Sequence, residues 1–424
     1  MDATATALHH GDRYLDHCRS CGADLERLFV DLGQSPISNS LRHPDQEDEP
    51  EAFYPLRAFA CDACGLVQIH DIAAREAHFN RDYAYFSSFS DSWLAHAENY
   101  AHTMIARQGL GPASQVVEVA SNDGYLLRYF KAAGVPVLGV DPAANCAEAA
   151  MLHHGVPTRV TFFGRQTAHE LVREGLSADL IAANNVLAHV PDINDFVAGF
   201  SILLKPDGVL TIEFPHLLQM MENNYFDTIY HEHYSYLSLL AVERLLARHG
   251  LAAFDLDVLS THGGSLRIHV GHASAGRTAS DALLAFRARE AAAGLDGPAA
   301  YDAFSARARA TKRSLLKLLI RLKDEGATLA AYGAPAKGAT LLNYCGIGRD
   351  FIDYTVDRNP RKQGLVMPGV AIPVHPPERI FETRPDYLVI LPWNLKDEII
   401  AQMSGIRTWG GKFITPLPEP MIIA

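Results

Sequence analysis

Val116-Val-Glu-Val-Ala-Ser-Asn-Asp-Gly-Tyr-Leu-Leu127 decides how the rest of the chain is read. A β-branched run ends in a small, polar turn and opens into a helical segment, the place where an α/β sheet receives a nucleoside. Glu118 lies inside the strand, Ser121 and Asn122 make the turn, and Gly124 allows backbone to approach a ligand closely. Further on, Val137-Leu-Gly-Val-Asp-Pro142 ends its strand with Asp141, a carboxylate placed to accept hydrogen bonds from two ribose hydroxyls. A third strand end, Ala182-Ala-Asn-Asn-Val-Leu-Ala-His-Val190, carries Asn184, Asn185 and His189 toward the same crevice. A full G-x-G-x-x-G is missing, so a dinucleotide pyrophosphate is poorly served. S-adenosylmethionine, which has no phosphate, suits the turn better.

Outward from this turn, short β-branched runs at 135–140, 178–183 and 209–214 alternate with helical segments, which argues for a parallel sheet with crossover helices. Thr261-His-Gly-Gly-Ser-Leu-Arg-Ile-His-Val270 reads as a Gly-kinked strand closing that sheet. Residues 271–325, rich in Ala, Arg, Lys and Leu, read as one or two bridging helices. A second alternation follows, with strands at 328–332, 351–356 and 387–391. The division predicted is a small N-terminal unit at 1–80, a central α/β unit at 81–300 and a C-terminal α/β unit at 301–424.

The 424 residues are 48% hydrophobic and 20% charged, enough apolar material for real cores and too much for a disordered chain. With 37 Lys+Arg against 49 Asp+Glu, the net charge of −12 gives no general grip on nucleic-acid phosphates. No run approaches a bilayer-spanning length, and the first residues lack a secretory pattern, so a cytoplasmic protein without membrane contact is expected.

Four of the six cysteines form two tight pairs, Cys18-Arg-Ser-Cys21 and Cys61-Asp-Ala-Cys64, each followed by a glycine. Two such knuckles aim four thiolates at one ion, and zinc is the natural occupant. A closed four-sulfur shell leaves no position for substrate, so the site is read as structural, with unligated thiols or a redox pair as the other reading.

Past the fifth strand runs Phe226-Asp-Thr-Ile-Tyr-His-Glu-His-Tyr-Ser-Tyr236. Within it Tyr230, His231, Glu232 and His233 lie near the expected crevice. An imidazole beside a carboxylate can act as general base, and a phenol can donate to a developing oxyanion. A solvated polar loop, or two histidines and a glutamate on a metal, are the other readings. In the C-terminal unit, Gly333-Ala-Pro-Ala-Lys-Gly-Ala-Thr340 lies between strand and helix, where backbone N–H groups and Lys337 could hold a diphosphate. It is not a Walker A loop, because Lys337 precedes the second glycine. Asn359 and Lys362, in the turn Asp357-Arg-Asn-Pro-Arg-Lys362, and Arg267 are further candidates for the same anion, the turn reading equally as a solvated charged loop.

The two knuckles, the run Tyr83-Ala-Tyr-Phe-Ser-Ser-Phe-Ser-Asp-Ser-Trp93, the 118–124 turn and the Tyr-His-Glu-His segment together resemble the nucleotide-sugar C-methyltransferases that branch deoxysugars in antibiotic biosynthesis. The resemblance covers essentially the whole chain. It implies a small zinc-binding domain, a central class I S-adenosylmethionine methyltransferase domain of Rossmann-like α/β fold, and a C-terminal Rossmann-like domain. A dTDP-linked 4-keto-6-deoxysugar is implied between the last two, on a monomer or weak homo-oligomer. Carried over, the catalytic histidine falls on His233, with Glu232 orienting or charging it, Tyr230 and His189 near the enolate oxygen, and Tyr83 or Tyr85 completing the site. Methylation at C3 is the expected outcome, C5 being equivalent in acidity. A sugar O- or N-methyltransferase and a NAD-dependent oxidoreductase or epimerase stand as alternatives.

Overall fold

A computed structural model describes residues 16–72, 86–89 and 91–424; Tyr83 and Tyr85 lie outside the described residues. The first strands, β1 (Arg27–Ser35), β2 (Tyr54–Ala60) and β3 (Val67–Ile69), pair antiparallel in chain order. Their inner face carries Phe29, Leu56 and Ala58, too little for a core of its own, and it packs onto residues from elsewhere in the chain.

The central sheet begins with β4 (Val116–Val119), β5 (Val137–Asp141), β6 (Thr158–Val160), β7 (Ala178–Asn184) and β8 (Leu204–Pro215). All are parallel, and β4 is buried along its whole length because helices cover both faces of such a sheet. Strand β9 (Ser235–Tyr236) leaves this unit and pairs with β3 of the first sheet. Then β10 (Leu251–Leu259) and β11 (Ser265–His272) return as an antiparallel hairpin, giving the order β10-β11-β8-β7-β4-β5-β6. Strand order reverses at β4, so a crevice opens beyond the carboxyl ends of β4 and β7.

The expectation that residues 261–270 close the sheet is corrected here. Strand β11 is internal, and β10 forms the edge. A register shift between Ala253 and Asp255 breaks the two-residue alternation that would have revealed β10 in the sequence.

Helices Asp281–Ala292, Ala299–Asp302 and Phe304–Asp324 bridge to the third sheet. It contains β12 (Leu329–Tyr332), β13 (Thr355–Val356), β14 (Val374–His375), β15 (Tyr387–Ile390), β16 (Lys412–Thr415) and β17 (Met421–Ile423), in the order β14-β13-β12-β15-β16-β17. Of the run expected at 351–356, only Thr355 and Val356 pair. One continuous core joins Phe29 and Leu56 of the first sheet, Met220 and Phe226 of the central unit, and Leu341 and Leu391 of the third. Among the described residues no helix is long and apolar enough to cross a membrane.

Candidate active site

The turn after β4 is held in conformations that side-chain-bearing residues seldom adopt. Ala120 (φ 61°), Asn122 (φ 48°) and, across the crevice at the end of β7, Asn185 (φ 53°) are all left-handed. Strain of this kind persists only where surrounding contacts enforce it. Asn122 N–H donates to Asp141 Oδ2 and Ala143 N–H to Asp141 Oδ1, each at 2.8 Å. Asp141 therefore ties two loops together. The Asn122 side-chain oxygen accepts from Ser87 N–H at 2.9 Å, and Asp123 accepts from the Ser88 hydroxyl, so Phe86–Phe89 is strapped to the turn.

At Gly124 a Cβ would lie 3.1 Å from Ala150 Cβ, so helix packing and a φ of +78° also require the glycine. The Ser121 hydroxyl lies against Gly139, whose own Cβ would come within 2.3 Å of it.

Several polar atoms around the crevice have no hydrogen-bond partner among the described residues, the Ser121 hydroxyl, Asp123 Oδ1 and both ends of the Asn185 amide, while Glu118 and Asn184 have only the buried Tyr125 hydroxyl near them. Burial pushes the Glu118 carboxyl well above its ordinary range, helped by repulsion from Asp141 and Asp123. Burial likewise lifts Asp141 to about 6. Three crowded carboxylates and orphaned acceptors want a ligand that is cationic and rich in donors. S-adenosylmethionine fits, with its sulfonium, ammonium, ribose hydroxyls and adenine amine; a pyrophosphate does not.

Beyond β8 the chain carries the histidine run, and its consecutive side chains diverge. His231 Nε2 faces the Pro55 carbonyl at 3.2 Å, on the first sheet. The Glu232 carboxylate accepts from Asn39 Nδ2, with both oxygens at 2.8 Å, and burial raises its pKa. His233 turns the other way. Its Nδ1 lies 3.1 Å from the Thr228 carbonyl and its Nε2 2.7 Å from the Tyr230 hydroxyl. A carbonyl can only accept, so the proton sits on Nδ1 and the lone pair on Nε2. Burial, then the charge of His189, drives the His233 pKa well below its ordinary value and keeps the ring neutral.

His189 joins from the end of β7, its Nδ1 2.9 Å from the Glu232 carbonyl and its ring centroid 4.6 Å from that of His233. Glu232 thus supports His189 through its backbone, while its carboxylate holds Asn39; the expected orienting of His233 falls instead to Thr228. Among the described residues, the clustered metal-ligating groups are the four cysteines.

The third sheet closes the cleft. Thr340 donates to the Ile229 carbonyl at 3.0 Å, and Trp393 Nε1 donates to Asp227 Oδ2 at 2.7 Å. Burial raises Asp227 to about 7, against the pull of Lys337. Lys337 Nζ donates to Asn394 Oδ1 at 2.8 Å and lies 4.5 Å from the Trp393 ring centre, and its charge acts on His233. Lys362 Nζ donates to the Ala334 carbonyl at 2.8 Å, and Asn359 Oδ1 accepts from Arg361 N–H at 3.0 Å, so both shape the loop beside the Ala336–Cys345 helix start.

Arg267 does not reach that loop. Its Nη2 donates to Glu213 Oε2 at 2.6 Å and lies 2.9 Å from His96 Nε2, with Tyr100 beneath the guanidinium. As an interior residue of β11, it is neutralised by Glu213 and unavailable to a diphosphate. Sequence reasoning missed His96, Asn39 and Trp393, and assigned no role to Trp93 and Asp227 within the runs it quoted, because partners such as Glu213, Glu232 and Trp393 lie far along the chain. The one local signal was Glu213, a charged residue in the fully buried run 208–214 of β8.

The first sheet carries the metal centre. Cys18 and Cys64 sulfurs lie 3.5 Å apart, as do those of Cys21 and Cys61, and all four fall within 4.8 Å of one another. A tetrahedron with bonds of about 2.3 Å has edges of about 3.8 Å, so the four sulfurs fit zinc. Gly22 (φ 74°) and Gly65 (φ 77°) each donate back to the first cysteine carbonyl of their knuckle at 2.8 Å. The knuckle residue Arg19 reaches the Pro191 carbonyl at 3.0 Å, fastening zinc domain to central unit.

Protein-family models match this chain in three consecutive blocks: a zinc binding domain at residues 18–79, a methyltransferase domain at 93–255, and a C-methyltransferase C-terminal domain at 260–418. The chain is 35% identical over 413 residues to the C-methyltransferase NovU of Streptomyces niveus, covering 97% of this chain and 98% of that one. It is 28% identical over 98 residues to a ubiquinone biosynthesis O-methyltransferase of Bartonella tribocorum, 23% of this chain and 40% of the other. Among solved structures, magnesium protoporphyrin IX methyltransferase from Synechocystis PCC 6803 with bound SAM aligns with 46% of this chain and 88% of its own, at 16% identity and a TM-score of 0.32.

Proposed function

Since the chain belongs to the zinc-containing, S-adenosylmethionine-dependent C-methyltransferases, we propose that it methylates C3 of a dTDP-linked 4-keto-6-deoxysugar. The observation that carries this reading is the neutral imidazole of His233. Its proton is fixed on Nδ1 by Thr228, its lone pair is held at Nε2, and His189 is beside it at the end of a cofactor-binding strand.

A carbon next to a ketone is acidic because its anion places charge on the carbonyl oxygen. His233 Nε2 takes the C3 proton, the C–H pair becomes the C3–C4 double bond, and the carbonyl π pair moves to oxygen. The Tyr230 hydroxyl, released from Nε2 as that atom becomes protonated, turns its O–H to the new oxyanion. S-adenosylmethionine supplies an electrophilic methyl group on a positive sulfur, held by Glu118, Asp141, Asn184 and Asn185. The dTDP diphosphate is taken by the Ala336–Cys345 helix start, with Lys337 and Lys362 as the nearby cations. The four-cysteine zinc takes no part in a step; it holds the sheet to which β9, directly after His233, is paired.

A nucleotide-activated substrate and reduced thiolates fit a cytoplasmic enzyme of deoxysugar biosynthesis. The test is incubation with methyl-labelled S-adenosylmethionine and a panel of dTDP-4-keto-6-deoxysugars, with the label located by NMR. Label on C3 supports the proposal; label on oxygen or nitrogen, or on C5, overturns it.

A further inference from the structure

His262 occupies the short loop between β10 and β11, at a φ of 53° and ψ of 23°, a left-handed conformation unfavourable to any residue with a Cβ. Gly263 and Gly264 follow at φ values of 87° and 121°. A Cβ on the first would come within 2.7 Å of the Trp393 ring, and one on the second within 2.9 Å of Gln219. The loop is therefore wedged between the third sheet and helix Leu217–Glu222. It is tied down as well: His216 N–H donates to the Gly264 carbonyl at 3.1 Å, and the Thr261 hydroxyl to Glu213 Oε1 at 3.2 Å.

This wedge presents the His262 ring to the cleft. Trp93 packs against it with ring centres 5.6 Å apart. The residue remains exposed to solvent in the ligand-free protein. Burial, then the charge of Lys337, lowers its pKa to about 4, and Glu213, His96 and His189 also act on it. His262 in turn acts on His233. Among the described residues nothing hydrogen-bonds either ring nitrogen. A rigidly held imidazole, with an N–H donor and an acceptor both unclaimed among the described residues, thus stands on a loop that packs against Trp393 and Trp93 and close enough to the base to act on its charge. Strained backbone of this kind is kept where function uses it.

We propose that His262 is a further catalytic residue, whose N–H hydrogen-bonds the substrate's carbonyl oxygen as that oxygen takes up the enolate charge. Together with Tyr230 it makes a two-donor oxyanion site. A neutral donor suits this task, because it strengthens as negative charge develops and requires no proton transfer of its own. The inference rests on the reading of the reaction as enolate formation by His233.

Two variants separate the ring from its backbone. His262→Gly removes the imidazole and relieves the left-handed φ, while His262→Asn keeps an N–H donor on a residue that tolerates this conformation. Each is assayed for exchange of the substrate's C3 proton with D2O in the presence of S-adenosylhomocysteine, and for kcat and KM of methyl transfer. Loss of one oxyanion donor predicts about a 10²-fold fall in both exchange and kcat for His262→Gly, with little change in KM, and partial recovery in His262→Asn. Wild-type exchange in His262→Gly, or a loss confined to KM, overturns the role of His262 and leaves the enolate reading standing. Absence of exchange by the wild-type enzyme, with every keto sugar it methylates, overturns both. Should His262→Gly fail to fold, His262→Ala makes the same comparison.

Discussion

His233 Nε2 lies 2.7 Å from the Tyr230 hydroxyl, three residues away in the chain, while the other nitrogen of the same ring is held by Thr228. The pair is poised with lone pair and donor facing each other, so removing the phenol removes a hydrogen bond without disturbing the tautomer. Tyr230→Phe is expected to lower kcat about 10²-fold while S-adenosylmethionine affinity, measured by calorimetry, stays unchanged. Unaltered turnover would show that Tyr230 only packs.

The acid limb of the activity profile should fall well below pH 6.5, because burial disfavours the charged form of His233. Stability carries the same sign. An imidazole whose folded pKa is depressed stabilises fully above its unfolded value near 6.5 and loses that contribution as pH falls, since the unfolded chain binds the proton first. For His262 the window runs from about pH 6.5 down to about 4. Melting temperature should therefore drop across this interval, less steeply in His262→Gly than in wild type.

Glu118 is completely buried with only the Tyr125 hydroxyl to relieve its carboxyl, an arrangement that costs stability while no cation sits beside it. Glu118→Gln should raise the stability of the ligand-free protein by about 1 kcal/mol or more and weaken S-adenosylmethionine binding about tenfold. Thermal melts and calorimetric titration check the two halves. A variant both less stable and equally tight would contradict the cofactor role.

Arg267 and Glu213 form a buried pair at 2.6 Å, with His96 as third member. Arg267→Leu strands the carboxylate and is expected to cost about 3–5 kcal/mol in denaturant unfolding. Replacing both, Arg267→Leu with Glu213→Gln, should recover part of that loss.

Zinc removal should act at a distance. Chelation, or Cys61→Ser, is expected to lower melting temperature and activity together, because β3 of the zinc sheet pairs with β9 two residues past His233. Elemental analysis should give about one zinc per intact chain for a four-thiolate shell. Full activity in metal-free protein would separate the two domains functionally.

Local chemistry made some of this legible. The Cys-x-x-Cys pairs with their trailing glycines, and the strand and turn at 116–124, declare themselves because a knuckle and a βα turn are each built from residues adjacent in the chain. The histidine run was legible as chemistry but not as geometry. His231, Glu232 and His233 are neighbours in sequence, yet they turn to Pro55, Asn39 and Tyr230. Arg267 was misjudged for the same reason: a lone cation on a strand reads as available until its partner Glu213 on the neighbouring strand is seen.

By itself, then, the amino-acid order determined the zinc knuckles, the two α/β alternations and the residue types able to abstract a proton, because these depend on spacings of a few residues. Only the tertiary structure decided which way each side chain of the histidine run points, that β9 ties the base to the zinc sheet, and that Trp93, Trp393 and the His262 loop meet at one cleft. Such pairings join residues far apart in the chain, and what selects among them is burial of a shared core and the satisfaction of buried polar groups, neither of which a linear pattern records.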